Sequence, residues 1–122
     1  TLAEGMPLVS GDAVQLQQVL LNLMMNGCDA MADRAVGDRW LEVATVHQGN
    51  VIRLTVADRG CGLPEGNPEQ VFRPFFTTKA QGLGIGLAIS RSIVEAHHGR
   101  LWAERNETSL GTSFHLELPV CP

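Results

Sequence analysis

Gly82-Leu83-Gly84-Ile85-Gly86-Leu87-Ala88-Ile89-Ser90-Arg91-Ser92-Ile93-Val94-Glu95-Ala96-His97-His98-Gly99 is the stretch that decides how the rest of the chain is read. Three glycines alternate with apolar residues and lead directly into a helical pattern. Ile85, Ile89, Ile93 and Ala96 recur at helical spacing from about Gly84 to His98, and Gly99 is placed as a left-handed stop. Each of the three glycines sacrifices chain order for no evident packing gain, so a merely flexible start to the helix explains them poorly. Backbone N–H groups and the positive end of a helix facing phosphates would explain them better. The spacing is GxGxG rather than GxGxxG, no strand immediately precedes it, and no Gly-Lys-Ser/Thr occurs. Neither the dinucleotide fingerprint nor a Walker loop is therefore present.

Upstream, residues 59–81 hold three of the six prolines and several glycines, which predicts an irregular region with at most one short helical turn near Glu69 to Phe72. Long loops inside compact domains are usually functional. Three of the four phenylalanines, Phe72, Phe75 and Phe76, fall in this loop and suggest an aromatic anchor. Lys79 is placed to reach terminal phosphates, a role lysine fills as a point charge. Just before the loop comes Asp58-Arg59-Gly60-Cys61-Gly62. Asp58 ends an apolar strand, so its carboxylate can lie at a sheet edge where glycines let backbone approach. There it can accept from the exocyclic amine of adenine, where guanine would offer a repelling carbonyl. An ordinary turn after a strand gives the same short pattern.

Asp12, with Gln15 three residues later, resembles an N-cap and capping box for a helix from about Ala13 to Met31. At helical rotation Gln15, Gln18, Asn22, Asn26 and Asp29 fall within an arc of about 80 degrees, while Leu16, Val19, Leu20, Leu23 and Met24 cover other sides. Solvated faces usually carry Glu, Lys and Arg, whereas this seam has uncharged amides at two successive turns. An Asn oxygen is a hard neutral ligand that can join phosphate oxygens and waters around magnesium, and Asn26 suits that task. Metal ligand, purine acceptor and phosphate cradle together are the parts needed to hold ATP with magnesium.

The remaining elements are a short strand at Pro7 to Val9, a hairpin of Trp40 to His47 with Val51 to Asp58, and a hairpin of Arg100 to Arg105 with Thr112 to Leu118. The order predicts a two-layer α/β sandwich, a mixed and mainly antiparallel sheet with its helices on one face. The 122 residues form one domain with enough apolar content, 44%, for a real core. A net charge of -4 without a Lys/Arg cluster argues against nucleic-acid binding. The longest apolar stretch, Val19 to Met25, is too short to span a membrane, and the N-terminus does not read as a signal peptide. Cys28, Cys61 and Cys121 lack CxxC spacing and suggest neither a disulfide framework nor a zinc site, which fits a reduced, cytoplasmic setting.

Taken together, these residues resemble the catalytic, ATP-binding domain of bacterial two-component sensor histidine kinases, within the GHKL superfamily shared with DNA gyrase and MutL. QVLLNLMMNGCDAM (18–31) is similar to the N box, Asp58 to Gly62 to the first G box, Phe72 to Phe76 to the F box and Gly82 to Leu87 to the second G box. Gly111-Thr112-Ser113-Phe114 resembles the last glycine-containing motif. FFTTK and the segment 82–99 are especially similar to kinases that sense oxygen, nitrogen status or dicarboxylates.

The resemblance implies the Bergerat ATP-binding fold, ATP and magnesium as cofactors, Asn26 as the metal ligand, Asn22 as a phosphate-side or structural partner, and Asp58 as the adenine contact. It further implies Gly60, Gly62, Gly82, Gly84 and Gly86 for backbone approach, with Leu83, Ile85 and Leu87 among them. Phe76, Thr77, Thr78 and Lys79 belong to the lid, and Thr112 lies near the base. Asp29 joins this set although many members carry Lys or Arg there, which shifts the expected phosphate contacts toward Lys79 and backbone N–H groups. ATP-hydrolysing relatives have a glutamate one turn before the magnesium asparagine. Here that position is Asn22, which cannot act as a general base at neutral pH, so phosphoryl transfer is favoured over hydrolysis.

The phosphorylated histidine of such kinases lies on a preceding helical hairpin, and His47, His97, His98 and His115 are each better explained structurally. The chain is thus expected to be a monomeric fragment, residues 1–122, of a soluble or membrane-anchored parent. It would bind ATP without phosphorylating itself, and would work with the kinase's own dimerisation and phosphotransfer domain and a downstream response regulator. A serine kinase of the anti-sigma type, a free-standing regulatory ATPase and a degenerate nucleotide sensor are the alternatives.

Overall fold

The computed structural model describes residues 2–32, 35–60, 62–63, 67–74, 86–106 and 111–121. Helix α1 spans Ala13–Ala30, strands β1 and β2 span Leu41–Gln48 and Val51–Asp58, helix α2 spans Gly86–Ala96, and strands β3 and β4 span Arg100–Arg105 and Thr112–Pro119. The strands form one sheet in the order β1-β2-β4-β3, and every pairing among the described residues is antiparallel. Both expected hairpins are present, and β2 and β4 join them, with Val56 opposite Phe114 and Leu54 opposite Leu116. Because side chains alternate along a strand, Leu54, Val56, Phe114, Leu116, Leu101 and Ala103 share the face turned to the helices. There they form the core with Val19 and Leu23 of α1, Val94 of α2, and Val71 and Phe72. Full burial of an aliphatic side chain such as Leu23 is worth about 1.5–3 kcal/mol.

The opposite face carries no helix among the described residues. Trp102 and His115 stack there with ring centroids 5.2 Å apart. The Arg53 and Arg100 guanidinium groups lie 5.3 and 4.5 Å from the Trp102 ring centroid. Arg53 also pairs with Glu117 at 2.8 Å, and His115 faces Glu104 at 3.4 Å and Thr55 Oγ1 at 2.9 Å. Burial pushes the His115 imidazolium down from its ordinary value more than Glu104 pulls it up, and Arg53 adds to the fall.

Three local expectations change. Pro7 to Val9 is not a strand; Leu8 makes one backbone bond, accepting from Cys121 N–H at 2.8 Å. The capping box is half formed. Asp12 Oδ1 accepts from Gln15 N–H at 3.1 Å, but Asp12 N–H donates to His97 Nε2, at 3.0 Å, rather than to Gln15. Helix α2 ends with His98, not Gly99, in the left-handed region, at φ 64. His98 N–H donates to the Glu95 carbonyl at 3.0 Å and Gly99 N–H to the Val94 carbonyl at 2.9 Å, the paired bonds of a Schellman stop. Gly99 is required for space, since a Cβ there would lie 2.2 Å from the Glu117 carbonyl oxygen.

The expected helical turn is a 3₁₀ turn over Pro68–Phe72, capped by Asn67 Oδ1 accepting from Glu69 N–H. Its Phe72 is an aromatic anchor: it meets Phe114 edge-on at 6.1 Å and lies under the Arg91 guanidinium at 3.9 Å. Arg91 also pairs with Glu69, whose carboxyl it holds below the usual range, and donates to the Leu101 carbonyl at 2.8 Å. One side chain of α2 thereby ties the 3₁₀ turn to β3. No described helix is long and apolar enough to cross a membrane.

Candidate functional site

The C-terminal end of β2, the polar seam of α1 and the first turns of α2 converge on one side of the sheet. Asp58, the last residue of β2, is only 1% exposed. Its Oδ1 accepts from Gly60 N–H at 2.8 Å and Thr112 N–H at 3.3 Å. No described group donates to Oδ2. Burial pushes the carboxyl above its ordinary value, and the two backbone bonds offset only part of that rise.

Such burial is possible because three glycines make room. A Cβ on Gly27 of α1 would lie 2.7 Å from Leu41 Cδ1 and 3.4 Å from Asp58 Cβ. On Gly60 it would lie 2.6 Å from the Ala30 carbonyl oxygen. Gly111, at φ +110, would place it 2.0 Å from the Asp58 carbonyl oxygen. The same carbonyl accepts from Asn106 Nδ2 at 2.8 Å, and Asn106 Oδ1 accepts from Ser113 Oγ. At the adjoining turn the Arg59 guanidinium stacks 4.4 Å from the Trp40 ring centroid. Arg59 N–H and Trp40 N–H both point at Met31 Sδ, at 3.4 and 3.2 Å.

The two asparagines of α1 differ. Asn22 Nδ2 donates to Ser90 Oγ at 3.1 Å and approaches the Gly86 carbonyl at 3.5 Å, while Asn22 Oδ1 accepts from Gln18 Nε2 at 3.0 Å. Asn26, one turn on and half-buried, makes no hydrogen bond to a described residue through its amide. Asp29 lies exposed on the same seam, and Thr112 is buried at the start of β4. Gly62 has φ +81, which justifies glycine there. Gly86 opens α2 with no neighbour within 4 Å of a Cβ, so described packing does not require it, and Leu87 packs against the core. Phe76, Thr77, Thr78, Lys79, Gly82, Leu83, Gly84 and Ile85, like Cys61, lie outside the described residues.

Gly27, Ser90 and Asn106 complete this arrangement, and the sequence alone assigned none of them a role in the site. A glycine inside a helix is a signal that backbone or side chains approach closely, and it directly follows Asn26. Ser90 had a weaker one, a lone hydroxyl on the buried side of an apolar helix. Nothing local marks Asn106.

A family model described as histidine kinase-, DNA gyrase B- and HSP90-like ATPase matches residues 11–122. The sensor protein FixL of Bradyrhizobium diazoefficiens is 45% identical over 98% of this chain and 23% of its own length. The catalytic domain of histidine kinase ThkA superposes with a TM-score of 0.78 at 35% identity, covering 92% of this chain and 70% of that one. ThkA is also known in complex with the response regulator protein TrrA, where the match has a TM-score of 0.79 at 30% identity and covers 100% of this chain and 33% of that one. Full-length ShkA in complex with AMPPNP gives 0.80 at 25% identity, over 98% of this chain and 24% of that one. The chain spans less than a quarter of the length of the first curated relatives that it matches. With the motifs, the sheet order and these likenesses in agreement, the chain belongs to the histidine kinase-, DNA gyrase B- and HSP90-like ATPase family, with the ATPase domains of sensor histidine kinases among its relatives.

Proposed function

We propose that this domain binds magnesium–ATP and donates the γ-phosphoryl group to a histidine on the dimerisation and phosphotransfer domain of the same kinase, in two-component signalling. The observation that carries the reading is the pairing of a buried Asp58, one oxygen held by backbone N–H groups and the other without a described donor, with an Asn26 amide on the neighbouring helix that bonds to no described residue. An acceptor so fixed suits the exocyclic amine of adenine, and the preset geometry lowers the ordering cost of binding. Asn26 has the donor chemistry that magnesium takes, a neutral oxygen beside a ligand that brings its own phosphate oxygens. Magnesium, when bound, neutralises charge on those oxygens.

To the same site we assign Gly60, Gly62, Gly86, Leu87, Asp29 and Thr112. Phe76, Thr77, Thr78, Lys79, Gly82, Leu83, Gly84 and Ile85 join them on the strength of the family resemblance, Lys79 as a lid cation for the terminal phosphate. In the transfer, the bond from the γ-phosphorus to the β,γ-bridging oxygen breaks, a phosphorus–nitrogen bond forms at the acceptor imidazole, and ADP leaves. The domain contributes positioning and charge stabilisation. Asn22, with both ends of its amide engaged and no basic atom, supplies no general base for water.

The ShkA complex with a nucleotide analogue and the ThkA complex with a response regulator support ATP as ligand and a response regulator as the next partner. We place the domain in the cytoplasm as a monomer that contacts neither nucleic acid nor membrane. Mixing it with the helical hairpin of its own kinase and γ-labelled ATP tests the reading. The expected product is acid-labile, base-stable label on the hairpin, and none on the domain alone. Rapid phosphate release with an unlabelled hairpin would identify a hydrolase instead.

A further inference from the structure

We propose that Ser90 is a positioning residue of the nucleotide site: through the Asn22 amide it fixes the start of α2 against α1, one turn before Asn26. This inference rests on the magnesium–ATP reading above. Ser90 is 0% exposed on the core side of α2. A hydroxyl so placed is costly unless it is hydrogen-bonded, and the side-chain partner it has is Asn22 Nδ2 at 3.1 Å.

The orientation of the Asn22 amide is set by two neighbours. The Gly86 carbonyl, 3.5 Å from Nδ2, can only accept, so the nitrogen must face α2. The oxygen then faces Gln18 Nε2 at 3.0 Å. Asn22 is therefore a strut from one helix to the other, and its oxygen is committed within α1. Asn26, one turn farther along the same seam, bonds to no described residue through its amide and is the one left to bind. The tie lies at the Asn26 side of the site. Asp58 is held separately, by Gly60 and Thr112. Loosening the tie should disturb the metal and phosphate end while leaving the adenine contact in place.

Calorimetry on the full 122-residue chain tests this, with ATP titrated in magnesium and in chelator. Ser90→Ala is expected to weaken magnesium–ATP binding about fivefold to tenfold, the effect of one ordinary hydrogen bond, and to change metal-free ATP binding less than about twofold. Ser90→Thr, which keeps the hydroxyl, should recover most of the loss. Asn22→Ala combined with Ser90→Ala should bind no more weakly than Asn22→Ala alone, because the two act as one unit. Equal losses with and without magnesium, additive losses in the double variant, or wild-type binding by Ser90→Ala would each overturn the positioning role while leaving the ATP reading intact. Failure of the unmodified chain to bind ATP at all would overturn both.

Discussion

On the helix-covered face of the sheet Asp58 is enclosed by three glycines and two backbone N–H donors, whereas on the open face His115 sits among long side chains that partner one another. Burial favours the neutral form of each: it raises the Asp58 carboxyl and lowers the His115 imidazolium. The means differ. Asp58 is fixed by backbone, which cannot rearrange without moving α1, β2 and the segment before β4 together. His115 is packed by Trp102, Arg53, Glu104 and Glu117, side chains that can shift individually. The first arrangement gives a rigid acceptor suited to recognition, and the second gives a surface network whose members are separately expendable.

Breaking the backbone enclosure should have the largest effect. Gly111→Ala puts a Cβ against the Asp58 carbonyl at an unfavourable φ, and about 3–5 kcal/mol of stability should be lost in denaturant unfolding. Gly37→Ala, where a Cβ meets nothing within 4 Å, is the control and should stay within about 0.5 kcal/mol. Comparable losses at the two sites would show that the enclosure is not tight.

Next comes the acceptor itself. Asp58→Ala should weaken ATP binding about tenfold to hundredfold, the range for losing a hydrogen bond to a charged group. Because the Asp58 pKa is raised, its protonation on acidification begins above the ordinary carboxylate range, and adenine affinity should fall there with it. Asp58→Asn should bind weakly with that pH step removed. A step retained in Asp58→Asn would assign it to another group.

The open face should yield the smallest effects. Arg53→Ala removes a half-exposed ion pair and a cation–π contact, together worth about 1 kcal/mol or less, and ATP affinity should not change. His115 is held below its ordinary 6.5, so over the interval between its folded pKa and that value the unfolded chain binds more protons. Stability should rise with pH across this interval and be lost as pH falls through it. His115→Gln should flatten that slope in thermal unfolding at a series of pH values; an unchanged slope would remove His115 from the account.

Local periodicity carried most of the fold. Alternation in 51–58 and 112–118 fixed both strands and their inward faces, and the Asp12 cap marked where α1 begins. The central β2–β4 pairing left no local mark, since it joins segments about 60 positions apart, as Thr55 and His115 show. The site was legible where chemistry is carried by residue type, as with Asp58 and the asparagine seam. It was illegible where space decides. The GxGxG spacing drew attention to Gly82, Gly84 and Gly86, yet the glycines that described packing demands near Asp58 include Gly27 and Gly111, whose neighbours are set by tertiary structure. The divergence of Asn22 from Asn26 likewise depends on Ser90, 68 residues away.

The stacks of Arg59 on Trp40 and of Trp102 on His115 have an optical consequence. With two tryptophans and no tyrosine, the ultraviolet emission of the chain arises essentially from these two rings. Trp40 lies against the residue that follows Asp58, and Trp102 stacks on His115 of the open face. The unlabelled protein thus carries one native fluorophore beside the Asp58 turn and one on the open face. A disturbance at the Asp58 turn and a protonation on the open face register on different indoles, and replacing either tryptophan by phenylalanine isolates the signal of the other.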